Sequence, residues 1–163
     1  MKKGLKLFAA FLCIVAILFI LPQEFHAEKT QLVNGSKSEV AAYVTDLNKY
    51  TEWNPWFNID PEMEVKVGDS TYEWTSTNDE VGAGIQTKIY ESADSVAFKL
   101  KFTAPMENKA NSYLTFKEVK NGTEVTWGFR SEGNILIGLV LDPSGMVGDK
   151  YVEGLKTLAT KFK

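Results

Sequence analysis

Residues 95–103, SVAFKLKFT, carry the clearest strand pattern in the chain. Apolar side chains stand at positions 96, 98, 100 and 102, and Lys99 and Lys101 lie between them. Successive side chains of a strand point to opposite faces of a sheet, so this run predicts one buried and one solvated face. That arrangement is typical of an antiparallel sheet with a single core side.

Similar runs lie on both sides of this strand. Asp69, Asp94 and the Asn121-Gly122 pair mark tight turns between them, which favours hairpins between consecutive strands. The other predicted strands are Glu24–Val33, Met63–Val67, Thr71–Thr77, Gly84–Glu91, Ala110–Val119 and Thr123–Glu132.

Helical patterns lie in two places. Ser36-Lys37-Ser38-Glu39 is a capping box that predicts a helix start, and a second short helix or turn should end at Pro55. The last helix is expected near Ser144–Lys161, because apolar residues recur there at helical spacing. That apolar stripe consists of Val147, Tyr151, Leu155, Leu158 and Phe162.

The order of elements is strand, two short helices, six strands and a long helix. An α+β fold accounts for it, with a curved seven-stranded antiparallel sheet wrapped around the C-terminal helix so that all apolar faces are buried together. We expect residues 24–163 to form this domain and residues 1–23 to form a separate hydrophobic segment.

The N-terminal segment contains an unbroken apolar run, Leu7–Leu21, preceded by three lysines. Its length also suits a signal peptide, but cleavage after Ala27 would place Phe25 where a small residue is needed. We therefore predict an uncleaved membrane anchor with the domain on the extracytoplasmic side. If the segment is cleaved, the domain is secreted.

Composition excludes several classes of function. Cys13 and His26 are the only cysteine and histidine, so a metal site or a nucleophile built on them is not expected in the domain, and we predict no cofactor. Without the three leader lysines, 15 basic and 21 acidic residues leave the domain with a charge of −6. A surface of that sign repels nucleic acid and anionic lipid headgroups.

Several motifs resemble the START-like helix-grip superfamily, and more narrowly its polyketide cyclase/dehydrase-type branch. They are Trp53-Asn54-Pro55-Trp56, the stretch 43–47 (YVTDL), the stretch 122–127 (GTEVTW) and the tail from Leu141 to Leu155. The resemblance covers residues 25–163 and implies the helix-grip fold. It leaves the function open, because the superfamily includes lipid carriers, hormone receptors, cyclases and co-chaperone regulators.

Alternation along the strands predicts an inner wall of apolar and hydroxyl side chains without an acid, a base or a histidine. Such a wall can hold an apolar ligand through few hydrogen bonds, although the same aromatic residues could simply be core. Arg130 and Glu132 fall on the outer face and Glu52 and Asp60 flank the tryptophan motif, so we expect solvated roles for them and no catalytic residue. The expected ligand contacts are Trp53, Trp56, Tyr72, Trp74, Thr87, Ile89, Phe98, Leu100, Phe116, Trp127, Phe129 and Tyr151.

Three functions stay open at this point. The first is non-catalytic binding or carriage of a lipid-, isoprenoid- or polyketide-like molecule by a membrane-anchored monomer. The second is cyclisation or dehydration of a confined substrate, which lacks an inward acid or base. The third is a protein-interaction or stress-response module with a vestigial cavity. The apolar stretch Ile135–Leu141 could serve as a lid hinged at Gly138 and Pro143-Ser144-Gly145, as fixed core, or as a membrane contact.

Overall fold

The first strand and the short helices form where the sequence patterns indicate. A computed structural model describes residues 22–134 and 143–162. Strand β1 spans Pro22–Val33 and helix α1 spans Lys37–Thr45. Two 3-10 helices follow, η1 at Leu47–Glu52 and η2 at Pro55–Asn58.

The predicted capping box sets the start of α1. The Glu39 backbone N–H donates to the Ser36 hydroxyl at 3.4 Å, and the Ser36 backbone N–H donates to the Glu39 carboxylate at 3.2 Å. Both N–H groups would otherwise lack a partner in the first turn of the helix. The predicted helix start is confirmed.

Replacing Ser36 with alanine should lower the free energy of unfolding by about 1 kcal/mol, because the N-cap acceptor is lost. Urea denaturation of the full chain measures this change. Ser38→Ala is the matched control, since Ser38 is exposed and does not accept from the helix backbone. An equal loss in both variants would contradict the role of the cap.

The seven strands form one antiparallel sheet in the order β1-β7-β6-β5-β4-β3-β2, as predicted. Consecutive strands from β2 to β7 pair as a meander. Strand β1 pairs with β7 along its whole length and forms one edge of the sheet. The remaining strands are β2 Glu64–Val67, β3 Thr71–Thr75, β4 Ala83–Glu91, β5 Ser95–Ala104, β6 Asn108–Val119 and β7 Gly122–Asn134.

Helix α2, Pro143–Thr160, packs on the concave face of the sheet. Leu155 and Leu158 of the predicted apolar stripe are buried in the core. The helix comes close to the sheet at Gly154, where an added Cβ would lie 2.9 Å from both Pro55 Cδ and Trp127 Cζ3. The expected grip of the sheet around its last helix is confirmed.

One local prediction was wrong. Pro55 was expected to end the second short helix, but η1 already ends at Glu52 and Pro55 is the first residue of η2. Proline suits that position because its missing N–H would have no helical partner there. The Asn54 side chain caps η2 by accepting from the Trp56 backbone N–H at 3.0 Å.

Two further predictions fall outside the described residues. They are the membrane anchor built on Leu7–Leu21 and the lid, core or membrane contact built on Ile135–Leu141. Within ranges 22–134 and 143–162, the structure has no helix that is both long and apolar enough to cross a bilayer.

Candidate functional site

Strand β5 identifies the buried face of the sheet. Val96 and Phe98 are buried, Leu100 and Phe102 pack against the same core, and the two lysines between these residues are exposed on the other side. This is the alternation that the sequence predicts. The concave face of the sheet is therefore the inner wall.

Strand β4 departs from the prediction. Side chains directly opposite each other on paired strands share a face. Gln86 pairs with Tyr72 and Leu100 of the inner wall, whereas Thr87 pairs with exposed Lys99. Thr87 therefore lies on the outer face of the sheet. Ile89 sits where the register shifts between Lys88 and Tyr90, and it is 51% exposed.

The packing of Trp74 explains this register. Gly84 lies opposite Trp74 on β3, and a Cβ at Gly84 would be 2.7 Å from the Trp74 ring. The indole thus needs a glycine beneath it, which sets Gly84 and Gln86 inward and Ile85 and Thr87 outward. The expectation that Thr87 and Ile89 face inward was wrong for this reason.

Lys88 shares the inner face of Phe98 by register, although no inward lysine was expected. Its amine does not turn toward the core. It donates to the Thr45 carbonyl at 3.3 Å and forms an ion pair with Glu91 at 2.5 Å. The lysine therefore links the C-terminal end of α1 to the sheet.

The middle of the inner wall is filled by aromatic rings. Trp127 stacks on Tyr151 of α2 with ring centroids 3.8 Å apart, and Tyr50, Trp53 and Trp56 meet the Trp127 ring edge-on. The Trp127 indole N–H donates to the Ser112 hydroxyl at 3.0 Å. Such pairs add to the stabilisation that comes from burial of the rings. This part of the wall is packed core.

The buried tyrosine hydroxyls of this cluster are held neutral. Burial raises the pKa of Tyr72 to about 12 and raises the pKa of Tyr151, although the Ser112 hydroxyl bonded to Tyr151 opposes that rise. Burial, with smaller contributions from Tyr151 and Tyr72, raises the pKa of Tyr50. Desolvation disfavours the phenolate in each case. These groups are therefore neutral phenols and not bases.

A second part of the wall is only half-buried. Trp56, Trp74, Leu100 and Phe102 pack beside the core without being enclosed by it. The Trp74 and Phe102 rings meet edge-on at 5.8 Å, and the Trp74 indole N–H donates to the Val81 carbonyl at 3.3 Å. The sheet thus presents a partly open apolar surface next to the packed cluster.

Two buried polar atoms of the wall have no hydrogen-bond partner among the described residues. They are the Trp53 indole N–H and the Tyr72 hydroxyl, although the Asn54 side chain lies close enough to the Tyr72 hydroxyl to oppose the rise of its pKa. A narrow crevice lined by Trp53, Gln86 and Trp127 is nowhere wide enough for a water molecule. Buried donors of this kind are rare in native proteins, because each one costs free energy when left unpaired.

The carboxylates near the tryptophan motif have structural partners. Glu52 accepts from the Tyr43 hydroxyl at 2.7 Å, and Asp60 accepts from the Ser76 hydroxyl at 2.5 Å and from the Glu62 N–H at 3.1 Å. Within the described ranges, no three histidine, cysteine or carboxylate side chains come together as a metal site would require.

The predicted contacts therefore divide into three groups. Sequence reasoning missed Gln86, although the glycine opposite a large aromatic residue was a usable signal for its orientation. Trp56, Trp74 and Leu100 lie on the half-buried wall, and Thr87 and Ile89 lie on the outer face. The fully packed members are Trp53, Tyr72, Phe98, Phe116, Trp127, Phe129 and Tyr151.

Comparison with known proteins agrees with this architecture. The family model described as "Polyketide cyclase / dehydrase and lipid transport" matches residues 24–163. None of the curated proteins compared with the chain matches it significantly.

Solved structures with low sequence identity share the fold. An uncharacterized protein from Bacillus thuringiensis is 18% identical with a TM-score of 0.64, over 84% of this chain and 98% of that one. The Aha1 dimer from Colwellia psychrerythraea is 14% identical with a TM-score of 0.61, over 84% and 95% of the two chains. The di-domain ARO/CYC protein StfQ of the steffimycin biosynthetic pathway is 12% identical with a TM-score of 0.58, over 85% and 50%.

Proposed function

The chain belongs to the polyketide cyclase/dehydrase and lipid transport family, and we propose that it binds and carries an apolar molecule bearing a hydrogen-bond acceptor. The site is the concave face between the sheet, η2 and α2. The proposal rests chiefly on two buried donors without a hydrogen bond among the described residues, Trp53 Nε1 and Tyr72 Oη, in a largely apolar wall.

The division of the wall suggests how such a ligand would lie. The apolar body would cover the half-buried surface of Trp56, Trp74 and Leu100, where burial removes apolar area from water. Its acceptor oxygen would point inward to the indole N–H and the phenol. Because the crevice at Trp53 does not admit water, the acceptor end must displace side chains slightly in order to reach both donors.

The positions of the charged groups near the site favour ligand binding without catalysis. A general base must stand at the reacting atom with a suitable pKa. Among the described residues, the crevice is lined by apolar side chains together with Tyr50 and Gln86, and by no carboxylate or imidazole. Glu52 and Asp60 are committed to the hydroxyls of Tyr43 and Ser76. This favours a carrier over a cyclase or dehydrase.

The packed interior favours a second candidate function, which is protein interaction without a bound ligand. The Trp127–Tyr151 stack occupies the space that a ligand would need, and the crevice that is left is too narrow for a water molecule. The domain would then be a protein-interaction module that keeps the fold without a cavity. Native mass spectrometry of the chain purified from its own membrane separates the two, because a carrier retains an apolar molecule and an interaction module gives a clean apo mass.

The predicted apolar anchor would place the carrier next to a source of ligands. We propose that the N-terminal run Leu7–Leu21 holds a monomeric domain at the extracytoplasmic surface of a membrane. N-terminal sequencing of the mature protein tests this. A start near Glu28 would make the domain a secreted binder.

Replacing Tyr72 with phenylalanine should weaken the binding of a medium-chain methyl ketone by about fivefold, because one hydrogen bond to the carbonyl is lost. Binding of the alkane of the same length should not change. The free energy of unfolding of the apo protein should stay constant or rise, since an unpaired buried hydroxyl is removed. Fluorescence titration and urea denaturation measure the two quantities.

Tyr90→Phe is the matched control, because Tyr90 is 56% exposed on the outer side of the sheet. It should leave both affinities unchanged. If the ketone and the alkane respond equally to Tyr72→Phe, the hydroxyl does not face the ligand. A turnover that depends on pH would contradict the non-catalytic proposal as a whole.

A further inference from the structure

The outer face of the sheet carries a row of donor side chains on five adjacent strands. Thr87, Lys99, Asn111, Arg130 and His26 follow one another as directly opposite cross-strand partners from β4 to β1. We call this set the cationic row. At the usual strand spacing of about 4.8 Å it spans roughly 19 Å, and its five residues line one groove, which also reaches Leu100, Phe102 and Ser131 of the inner face.

The cations of this groove are free to meet a ligand. Lys37, Lys88, Lys117 and Lys150 form the ion pairs found in the described part of the chain. None of these pairs involves Lys99, Lys101, Lys109 or Arg130, all of which are exposed. Unpaired exposed cations on a sheet with a fixed register form a ready surface for anions.

One neighbouring contact helps to hold the row in place. The Tyr113 ring lies over Gly128 on the outer face, and its hydroxyl donates to the Glu28 carboxylate. Burial and Glu28 raise the pKa of Tyr113, and the nearby Arg130 guanidinium opposes this rise. Arg130 thus stands next to a positioned hydroxyl instead of moving freely in solvent.

The local charge differs from that of the whole domain. The groove is lined by four lysine or arginine side chains and by Glu24, Glu107 and Glu132, a balance of +1, and the row itself has no carboxylate. The rest of the domain then carries −7, because residues 24–163 carry −6. The net charge predicts repulsion from anionic lipid, but the repelling charge lies elsewhere on the surface.

His26, Arg130 and Asn111 are the fourth or fifth residue from the end of the sheet where β1 begins and β7 ends, and Lys99 and Thr87 lie in the middle of their strands. In the sequence, the apolar run Leu7–Leu21 finishes immediately before the first residue of β1. The same end carries Met106 in the β5–β6 connection, which is 55% exposed. Helix α2 also starts at this end, since Gly148 lies near Ala27 and Lys29 of β1.

We propose that this end of the sheet docks on a membrane surface, with Lys99, Asn111 and Arg130 binding the phosphate of an anionic phospholipid. Charge complementarity selects the headgroup, and the position of the apolar run places the bilayer at this end. A lysine or arginine close to an anionic leaflet strengthens attachment about fivefold. The docking rests on the membrane anchor proposed above, but it does not depend on the apolar ligand.

The test uses the full chain with Cys13→Ser and Met106→Cys, labelled at the new thiol with a fluorophore. The protein is reconstituted in nanodiscs of phosphatidylcholine, alone or mixed with phosphatidylglycerol, that contain a headgroup-spin-labelled lipid as quencher. Quenching gives the ratio of docked to undocked domain. We expect this ratio to rise with phosphatidylglycerol and to fall about 25-fold in Lys99→Gln/Arg130→Gln.

The matched control is Lys117→Gln/Lys120→Gln, which removes the same charge at the opposite end of the sheet and should leave the ratio unchanged. Lys99→Gln alone should lower the ratio about fivefold, so the proposal stays testable if the double variant is unstable. Quenching that is independent of phosphatidylglycerol, or equal losses in test and control variants, would overturn the proposal. Release by millimolar inorganic phosphate would overturn lipid docking and indicate a site for a soluble anion.

Discussion

Replacing Trp127 with alanine should lower the free energy of unfolding by about 3–5 kcal/mol, the usual cost of deleting a packed aromatic side chain. Trp127 is 2% exposed, stacks on Tyr151 at 3.8 Å and donates its indole N–H to Ser112 at 3.0 Å. Alanine leaves a cavity among rigid rings that cannot collapse easily. It also removes the stacking contact between β7 and Tyr151 of α2.

Urea denaturation of the full chain measures this loss, and Trp74→Ala is the matched control. Trp74 is half-buried on the same face of the sheet, so the identical change should cost clearly less. A loss at Trp127 no larger than the loss at Trp74 would mean that the central rings do not form a rigid core. The interior would then have room for a ligand without rearrangement.

The stability of the domain should fall steeply as the pH rises above about 10, the usual pKa of an exposed tyrosine. Burial raises the pKa values of Tyr50, Tyr72 and Tyr151 in the folded state. The unfolded chain therefore loses these protons at a lower pH than the folded chain does. The stabilisation from the protonated hydroxyls is fully present below about pH 10 and is lost as the pH rises towards each folded-state pKa. These three buried groups alone contribute a slope of about −4 kcal/mol per pH unit, and Tyr43 and Tyr113, whose pKa values are also raised, add to it.

Urea denaturation at a series of pH values from 8 upward gives this slope directly. Tyr151→Phe should reduce it by about 1.4 kcal/mol per pH unit, the contribution of one group, because the phenylalanine ring cannot ionise. The comparison uses the slope and not the absolute stability, so the cost of losing the Ser112–Tyr151 hydrogen bond does not interfere. A flat profile through pH 11 would show that these hydroxyls reach water in the folded state.

Strands β5 and β4 show which side-chain orientations a sequence pattern can predict and which it cannot. In β5, large apolar residues alternate with lysines, so side-chain chemistry alone assigns each face correctly. In β4, Ile85 and Ile89 look like core residues and Gln86 does not. The structure reverses them because Trp74 requires Gly84 beneath its ring. That requirement acts between strands, and no pattern within β4 carries it.

The candidate site shows the same limit. Alternation predicts that Trp127 faces inward, and helical spacing predicts that Tyr151 does so too. Neither pattern gives the distance between sheet and helix, which depends on the missing side chain at Gly154. The sequence therefore predicts an aromatic wall but not that the rings fill the space in front of it. The unpaired donors Trp53 and Tyr72 depend on that same packing.

The pairing of β1 with β7 has a consequence for how the protein folds during its synthesis. These strands match residue for residue, from Pro22 with Asn134 to Val33 with Thr123, although most of the chain separates them in sequence. Contacts between such distant segments slow folding, because a long loop must close before they form. During synthesis β1 emerges early and waits as an unpaired edge, which is prone to aggregation until β7 leaves the ribosome.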